Sequence, residues 1–419
     1  MNIQQRPPAA DFPAGHSEHI ESQPSRPAHV ATARMADIEP FHVMQLIARA
    51  RALGAEGRVI VNMVVGEPDF PIAPLIKQAA MRVLETGRLS YTPALGIVPL
   101  RQAISAWYRT RYKLDVPASR IAVTTGSSGA LLLTMGVLLN PGDQVLLADP
   151  GYPCNRHFVR ALDGDPVGIA VGPESAYQLT AELVERHWGP RTRAVLVCSP
   201  SNPTGTTIAP RDFEQLNATV RAKGGVLISD EIYHGLTYGE DEAVSALAFG
   251  DDAFIINSFS KYFGMTGFRL GWVVMPEAYV GELDKLAGNL FISPPDIAQH
   301  AALAAFEPAT IEVLEQHRAL YRAQRDFLVP ALESLGFEIP IYPDGAFYVY
   351  ANCSRFTDDS YAFCWDILER AGIAITPGLD FGTNDPRHHV RFSYPKPIPI
   401  LEEGVRRLRT YLADLAKPR

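Results

Sequence analysis

The stretch Ser258–Trp272, SFSKYFGMTGFRLGW, decides how the rest of the chain is read. An apolar run, Ala253-Phe254-Ile255-Ile256, leads into it as a short buried strand. The strand ends in two hydroxyls, Ser258 and Ser260, followed at once by Lys261. Further on stands Arg269, between Gly267 and Gly271, where the backbone can approach a ligand closely. A lysine beside hydroxyls and a fixed cation suits an amine that attacks a carbonyl next to a phosphate. The neighbouring positive charge and partial desolvation disfavour the ammonium form and leave the amine nucleophilic. Arg269 offers a planar fork that meets phosphate oxygens better than a lysine does. A lone loop lysine means little, so it is the whole arrangement that carries the reading.

Upstream, other loops follow apolar strands in the same way. Gly225 to Ser229 ends in Asp230-Glu231-Ile232-Tyr233, and Ala194 to Cys198 runs into Ser199-Pro200-Ser201-Asn202-Pro203-Thr204-Gly205. A carboxylate at a strand end with a tyrosine three positions later can meet a pyridinium nitrogen and its adjacent phenolate. Asp230 alone is more readily read as a helix cap or turn former, and Asn202 before it and Lys261 after it reverse that reading. Asn202 precedes a proline, which holds it extended and fixes where its amide points. Gln144 to Ala148 leads to Asp149-Pro150-Gly151-Tyr152-Pro153, where Tyr152 can lie flat on an aromatic ring or simply pack in a turn. Ile121 to Thr125 turns through Gly126-Ser127-Ser128-Gly129 into a helix over Ala130 to Leu139. Free N–H groups at such a turn attract an anion. Neither GxGxxG nor GxxxxGK[ST] is present, so a dinucleotide or P-loop reading fails.

Strands ending near 125, 149, 198, 229 and 257, with helical patterns between several of them, predict an α/β fold built on a mostly parallel wound sheet. The polar loops all follow strand C-termini, where open α/β sheets bind ligands. Ahead of them, FHVMQLIARARAL within Glu39 to about Ala55 has helical spacing, and Val59 to Val65 is strand-like, ending in the turn Gly66-Glu67-Pro68-Asp69-Phe70. Tyr91 follows in SYTPALGIVPLR. Beyond Pro294-Pro295 the character changes. Ile297 to Leu335 reads as helical, and Phe347 to Tyr350 and Val390 to Phe392 as strands of a smaller α+β domain. Arg391 alternates with Val390 and Phe392, so it faces the other way, and its fork suits a carboxylate. His388-His389 lack a third ligand at useful spacing, so no metal site is expected. The expected division is 1–35 a disordered arm, 36–60 and 296–419 the small domain, and 61–295 the large one.

Composition narrows the class. A chain of 419 residues with 47% hydrophobic and 20% charged residues is a globular protein large enough for two domains. A net charge of −8 without a basic block argues against nucleic acid as a partner, and no apolar run is long enough for a membrane span. Cys154, Cys198, Cys353 and Cys364 show no CxxC spacing and are expected as reduced thiols in a cytoplasmic protein.

These residues resemble the class I and II, fold type I, aminotransferases that use pyridoxal 5'-phosphate (PLP). Ser258, Ser260, Lys261, Gly264, Gly267, Arg269 and Gly271 fill every place of the family's lysine signature, and SNPTG, the Asp230–Tyr233 pair and GEPDF match further motifs. The resemblance spans Gly66 to Arg391 and implies an amino acid:2-oxo acid transaminase. Lys261 would hold PLP as a Schiff base and move the substrate proton. Asp230 would keep the ring nitrogen protonated, with Asn202 and Tyr233 on the phenolic oxygen and Tyr152 against the ring. Ser127, Ser128, Ser258, Ser260, Arg269 and Tyr91 of the partner subunit would hold the phosphate of a homodimer with a shared site. Gly66, Asn202 and Arg391 would face the substrate carboxylate.

Two rivals share part of this reading. A PLP lyase or synthase, of C–S lyase or cyclopropane-forming type, uses the same constellation. Aminotransferase-like sensor domains follow a DNA-binding module, for which the first 35 residues are too few and too Pro-rich. Family members specialised for dicarboxylic donors carry a second cation, yet Ser127-Ser128 stands at one of its places and Leu286 to Gln299 contains no Lys or Arg. A neutral donor, alanine-like, aliphatic or aromatic, is therefore expected, with Phe291, Ile292 and Tyr152 as apolar surface and aspartate left open.

Overall fold

Along the segment Thr192–Cys198, Ala194 and Leu196 enter one apolar cluster while Val195 and Val197 enter another. Phe254–Ser258 divides in the same way, with Phe254 and Ile256 on one side and Ile255 on the other. This is the period of two expected of a sheet covered on both faces, and it explains why these strands look like unbroken apolar runs. The structure, a computed structural model, describes residues 31–239, 243–415 and 417.

The chain opens with helix α1 (His42–Ala55) and the short strand β1 (Val61–Asn62). The strands β2 (Ile121–Thr124), β3 (Gln144–Asp149), β4 (Asp165–Ala170), β5 (Thr192–Cys198), β6 (Val226–Asp230), β7 (Phe254–Ser258) and β8 (Gly271–Val274) make one seven-stranded sheet. Its order is β2-β8-β7-β6-β5-β3-β4. β8 runs antiparallel to both neighbours, and the other pairings are parallel. The C-terminal ends of β2, β5, β6 and β7 therefore share one edge. Helix α2 (Gly126–Leu138) packs on β7 and β8.

Downstream come the 28-residue helix α3 (Pro308–Leu335) and strands β9 (Tyr348–Asn352), β10 (Ile373–Ala374), β11 (Thr376–Pro377) and β12 (His389–Ser393). The order β11-β12-β9 forms an antiparallel sheet. β1 pairs in parallel with β10, so the strand-like run expected over 59–65 contributes two residues, and they join the C-terminal layer.

Three other local expectations shift. The helix expected from Ala130 starts at Gly126, because the Gly-Ser-Ser turn is already its first turn. β4 has no counterpart in the sequence reading: Pro166 and Gly168 disguise it, and both are tolerated because β4 is an edge strand. β8 begins within the last two residues of the Ser258–Trp272 motif, which is read from sequence as ligand-binding. Of the arm expected over 1–35, residues 1–30 lie outside the described residues, and Ala33–Asp37 forms a 3-10 turn. There Arg34 donates to the Ala161 carbonyl at 2.6 Å and pairs with Asp163. All four cysteines are free thiols. His388 turns toward Asp385 and Asp358. No described helix is long and apolar enough to cross a membrane.

Candidate active site

The strand ends on the shared edge deliver the chemistry. Asp230 is the last residue of β6, Ser258 the last of β7, and Ser127 and Ser128 stand in the first turn of α2 directly after β2. Over this edge β9, β11 and β12 bring Tyr348, Thr376 and Arg391. A cavity of about 270 Å³ lies between the two layers and is lined by Lys261, Asp230, Tyr233, Asn202, Arg391 and their neighbours.

Lys261 follows β7 and donates from Nζ to the Gly66 carbonyl at 2.6 Å, with the rings of Tyr233 and Phe347 at 5.5 and 5.7 Å. Burial first, then the charge of Arg391, brings its ammonium down to about 8, against the opposing pull of Glu67. Burial likewise pushes the Asp230 carboxyl up to about 7, although the Ile232 N–H and the Lys261 charge favour its ionised form. A carboxylate this deep, which accepts from the Ile232 N–H at 3.2 Å, is suited to a cationic partner that restores its charge. Tyr233 is buried, with its hydroxyl 2.8 Å from that of Tyr348.

Arg391 is buried too. It donates to Asn202 Oδ1 at 2.7 Å, to the Val64 carbonyl at 2.8 Å and to Thr376 Oγ1 at 3.3 Å. Its guanidinium lies 4.4 Å from the centre of the Tyr348 ring, and its Nε has no hydrogen-bond partner among the described residues. A buried fork with a donor to spare is prepared for an anion.

The hydroxyls form a separate group. Ser260 N–H donates to Ser258 Oγ at 3.0 Å, and the two hydroxyls are 3.0 Å apart. Arg269 adopts a left-handed backbone, φ +52°, at the turn into β8. Side chains could not replace the glycines here. A Cβ at Gly126 would come within 2.8 Å of the Arg269 guanidinium, and one at Gly271 within 2.8 Å of the Ser127 amide nitrogen. Helix N-terminus, hydroxyls and guanidinium thus make a cradle for an anion of phosphate size. Lys261, the ring-side groups and this cradle together fit PLP.

Of the residues expected from sequence, Gly66, Ser127, Ser128, Tyr152, Asn202, Asp230, Tyr233, Ser260, Lys261, Arg269 and Arg391 border the cavity. Ser258 does not border it, and its hydroxyl bonds Ser260. Tyr91 is 80% exposed and does not border the cavity. Of the expected apolar surface, Tyr152 reaches the wall, whereas Ile292 is 54% exposed and Phe291 packs against the core below α2. Sequence reasoning missed Tyr348, Thr376, Asp380 and Phe381, together with Phe41, Val43 and Ile47 at the start of α1. It also missed Glu231, whose buried carboxylate accepts from Ser229, Ser245 and the Ala246 N–H and anchors the turn bearing Asp230 and Tyr233. The alternating pattern of β9 signals that Tyr348 faces one side, but not what it meets there.

Residues 58–408 match the family described as aminotransferase class I and II. The chain belongs to that family. Its enzymes are PLP-dependent and exchange an amino group between an amino acid and a 2-oxo acid. A valine–pyruvate aminotransferase of Mycobacterium tuberculosis is 40% identical over 382 residues, covering 91% of this chain and 98% of that one. An aspartate/prephenate aminotransferase of Thermus thermophilus is 32% identical over 381 residues, 90% of this chain and 98% of that one. Among solved structures, an aminotransferase from Mycobacterium tuberculosis superposes with a TM-score of 0.89 at 38% identity, covering 92% of this chain and all of that one. The Thermus thermophilus aspartate aminotransferase with maleate gives 0.86 at 32% identity, covering 91% and 100%. This aminotransferase has the sheet and the strand-end loops that its sequence predicts.

Proposed function

We propose that this aminotransferase takes a neutral, aliphatic or aromatic L-amino acid as donor and a 2-oxo acid as acceptor, with PLP held at Lys261. The observation that carries the reading is the meeting of Lys261, Asp230 and Arg391 in one cavity. When bound, PLP supplies an electron sink for negative charge at the substrate Cα. Asp230 would face its ring nitrogen, Asn202 and Tyr233 its phenolic oxygen, and Tyr152 the ring. Ser127, Ser128, Ser258, Ser260 and Arg269 would hold its phosphate. Arg391 binds the substrate carboxylate beside Gly66 and so fixes the direction of the Cα–H bond. Lys261, brought down to about 8 by burial, is a base that can accept the Cα proton near neutral pH and return it.

The cations bordering the cavity are Lys261, Arg269 and Arg391, and all three have tasks in this scheme. None of these three is left for a second carboxylate, whose burial without a partner is unfavourable. The name of the 40% identical relative, a valine–pyruvate enzyme, supports the neutral donor. The aminotransferase names among the relatives favour transamination over the lyase alternative.

The proposal includes a homodimer in which Tyr91 of the partner subunit reaches the phosphate. Exposed Leu89, Tyr91, Leu290 and Ile292 support it, as does the Ser90 N–H bond to Asp296 that ties these two segments together. The free cysteines suit a reducing cytoplasm. The separate sheets support two domains near the expected division of 61–295 against 36–60 and 296–419, except that β1, at Val61–Asn62, pairs with β10 and so falls with the latter. A donor panel of valine, alanine, phenylalanine and aspartate, with pyruvate and 2-oxoglutarate as acceptors, tests the substrate class. Neutral donors are expected to exceed aspartate in kcat/KM, and aspartate as best donor by about tenfold overturns the assignment.

A further inference from the structure

Phe41, Val43 and Ile47 border the same cavity as Lys261 and Arg391. Val43 and Ile47, four residues apart, share one face of α1. This helix starts without a cap of its own: the N-cap position is Phe41, and the first turn contains no acidic residue. Its first N–H groups, at the positive end of the helix, therefore need an acceptor from elsewhere. Asp380 supplies it from far along the chain. Asp380 Oδ1 accepts the His42 N–H at 2.9 Å and lies 3.0 Å from His42 Nδ1, and Oδ2 accepts the Val43 N–H at 2.9 Å.

Asp380 is 3% exposed and itself borders the cavity. Its backbone carbonyl accepts from Arg156 at 3.3 Å. The next residue, Phe381, lies with its ring centre 4.9 Å from the Arg391 guanidinium. The segment Asp380-Phe381 thus touches both the helix that carries the apolar wall and the arginine that takes the α-carboxylate. Side-chain selection depends on the distance between these two features.

We propose that Asp380 is the positioning residue for side-chain selection. It fixes the first turn of α1 so that Val43 and Ile47 border an aliphatic substrate side chain, and its own charge disfavours a second carboxylate nearby. The inference rests on the aminotransferase reading and deepens it. Loss of the carboxylate leaves two amide N–H groups without their acceptor and loosens the wall. The arginine remains in place, so a small donor such as alanine, which needs little from the wall, loses less than valine.

The experiment uses the holoenzyme with pyruvate or 2-oxoglutarate as acceptor. It compares kcat/KM for valine, alanine and aspartate in the parent, Asp380→Ala, Ile47→Ala, the double variant and Asp380→Asn. Asp380→Ala is expected to lower the valine-to-alanine ratio about tenfold, mainly through the KM for valine. The double variant should lose no more than the larger single loss, because both act through one wall. Asp380→Asn keeps the size and one acceptor but not the charge, and should raise the aspartate-to-alanine ratio. Hydrogen exchange at the His42 and Val43 amides should be slow in the parent and faster in Asp380→Ala. Unchanged ratios, equal losses for valine and alanine, or unchanged amide exchange overturn the proposal. A parent that transaminates no donor overturns the aminotransferase reading instead, and amide exchange then still decides whether Asp380 holds the helix.

Discussion

The two halves of the cavity are built on different plans. Around Lys261, the polar groups stand at or just after the ends of β2, β6 and β7, so one parallel sheet sets their spacing. Around Arg391, the groups come from α1, β9, β11, β12 and the segment Asp380-Phe381, and only tertiary packing brings them together. Asn202 joins the halves through its 2.7 Å bond to Arg391, across 189 residues of sequence. The first half is polar and has a titrating pair, while the second adds an apolar wall. In the proposed scheme proton transfer is thus placed on the sheet edge, and recognition of the substrate's carboxylate and side chain on the elements packed above it.

Removing chemistry from the first half should have the largest effect. Lys261→Ala is expected to lower kcat by about ten-thousand-fold or more and to abolish the absorbance of lysine-bound cofactor, since it removes both base and attachment point. Turnover near the parent rate would place the reacting amine elsewhere. Asp230→Asn should lower kcat by about a thousand-fold while cofactor still binds, because a neutral amide cannot hold a cationic nitrogen by charge. Normal turnover in a fully loaded variant would mean that another group lies under that nitrogen. In the second half, Arg391→Lys should raise KM for every amino acid, lowering kcat/KM about 10–100-fold, since the fork and its bidentate geometry are lost. A uniform fall in kcat with KM unchanged would place Arg391 with the first half instead.

Cofactor uptake by the apoprotein should depend on pH through Lys261. Its ammonium is brought down to about 8, so the neutral, nucleophilic fraction falls as pH drops below that value. Uptake at pH 6 should therefore be roughly tenfold slower than at pH 7. A pH-independent rate between 6 and 8 would mean that attack by the amine does not limit uptake. The smallest effect is expected at the seam between the halves: Tyr348→Phe removes the hydroxyl 2.8 Å from Tyr233 and should cost about 3–10-fold in kcat/KM.

The same contrast governs what sequence alone can reveal. Asp230, Lys261 and Ser258 follow apolar runs whose register along the chain is visible, so the edge of the sheet could be read before any contact was known. Arg391 was legible by alternation along β12, though its bond to Asn202 was not. The strand bearing Tyr348 was legible but its partner Tyr233, 115 residues away, was not, and Asp380 meets His42 across 338 residues of sequence. β4 was hidden by Pro166 and Gly168, and β8 by its glycine-rich approach, because both strands obey their place in the sheet rather than the average strand composition. The apolar surface expected from Ile292 failed for a related reason. A residue's nearness to a motif in sequence does not tell which way the backbone turns, and Ile292 sits at φ +64° facing outward.

The reversed strand β8 has one further outcome for how the enzyme comes into being. The parallel pairs β5–β6 and β6–β7 need longer crossovers, but β7 and β8 are joined by only the loop that contains Lys261 and Arg269. That pairing has short sequence separation, so little chain entropy is lost in closing it, while the Arg391–Asn202 contact requires nearly the whole chain. Lys261, Ser258, Ser260 and Arg269 thus belong to a hairpin that a growing chain can form before the C-terminal strands exist. Substrate selection becomes available only when the last hundred residues have folded over it.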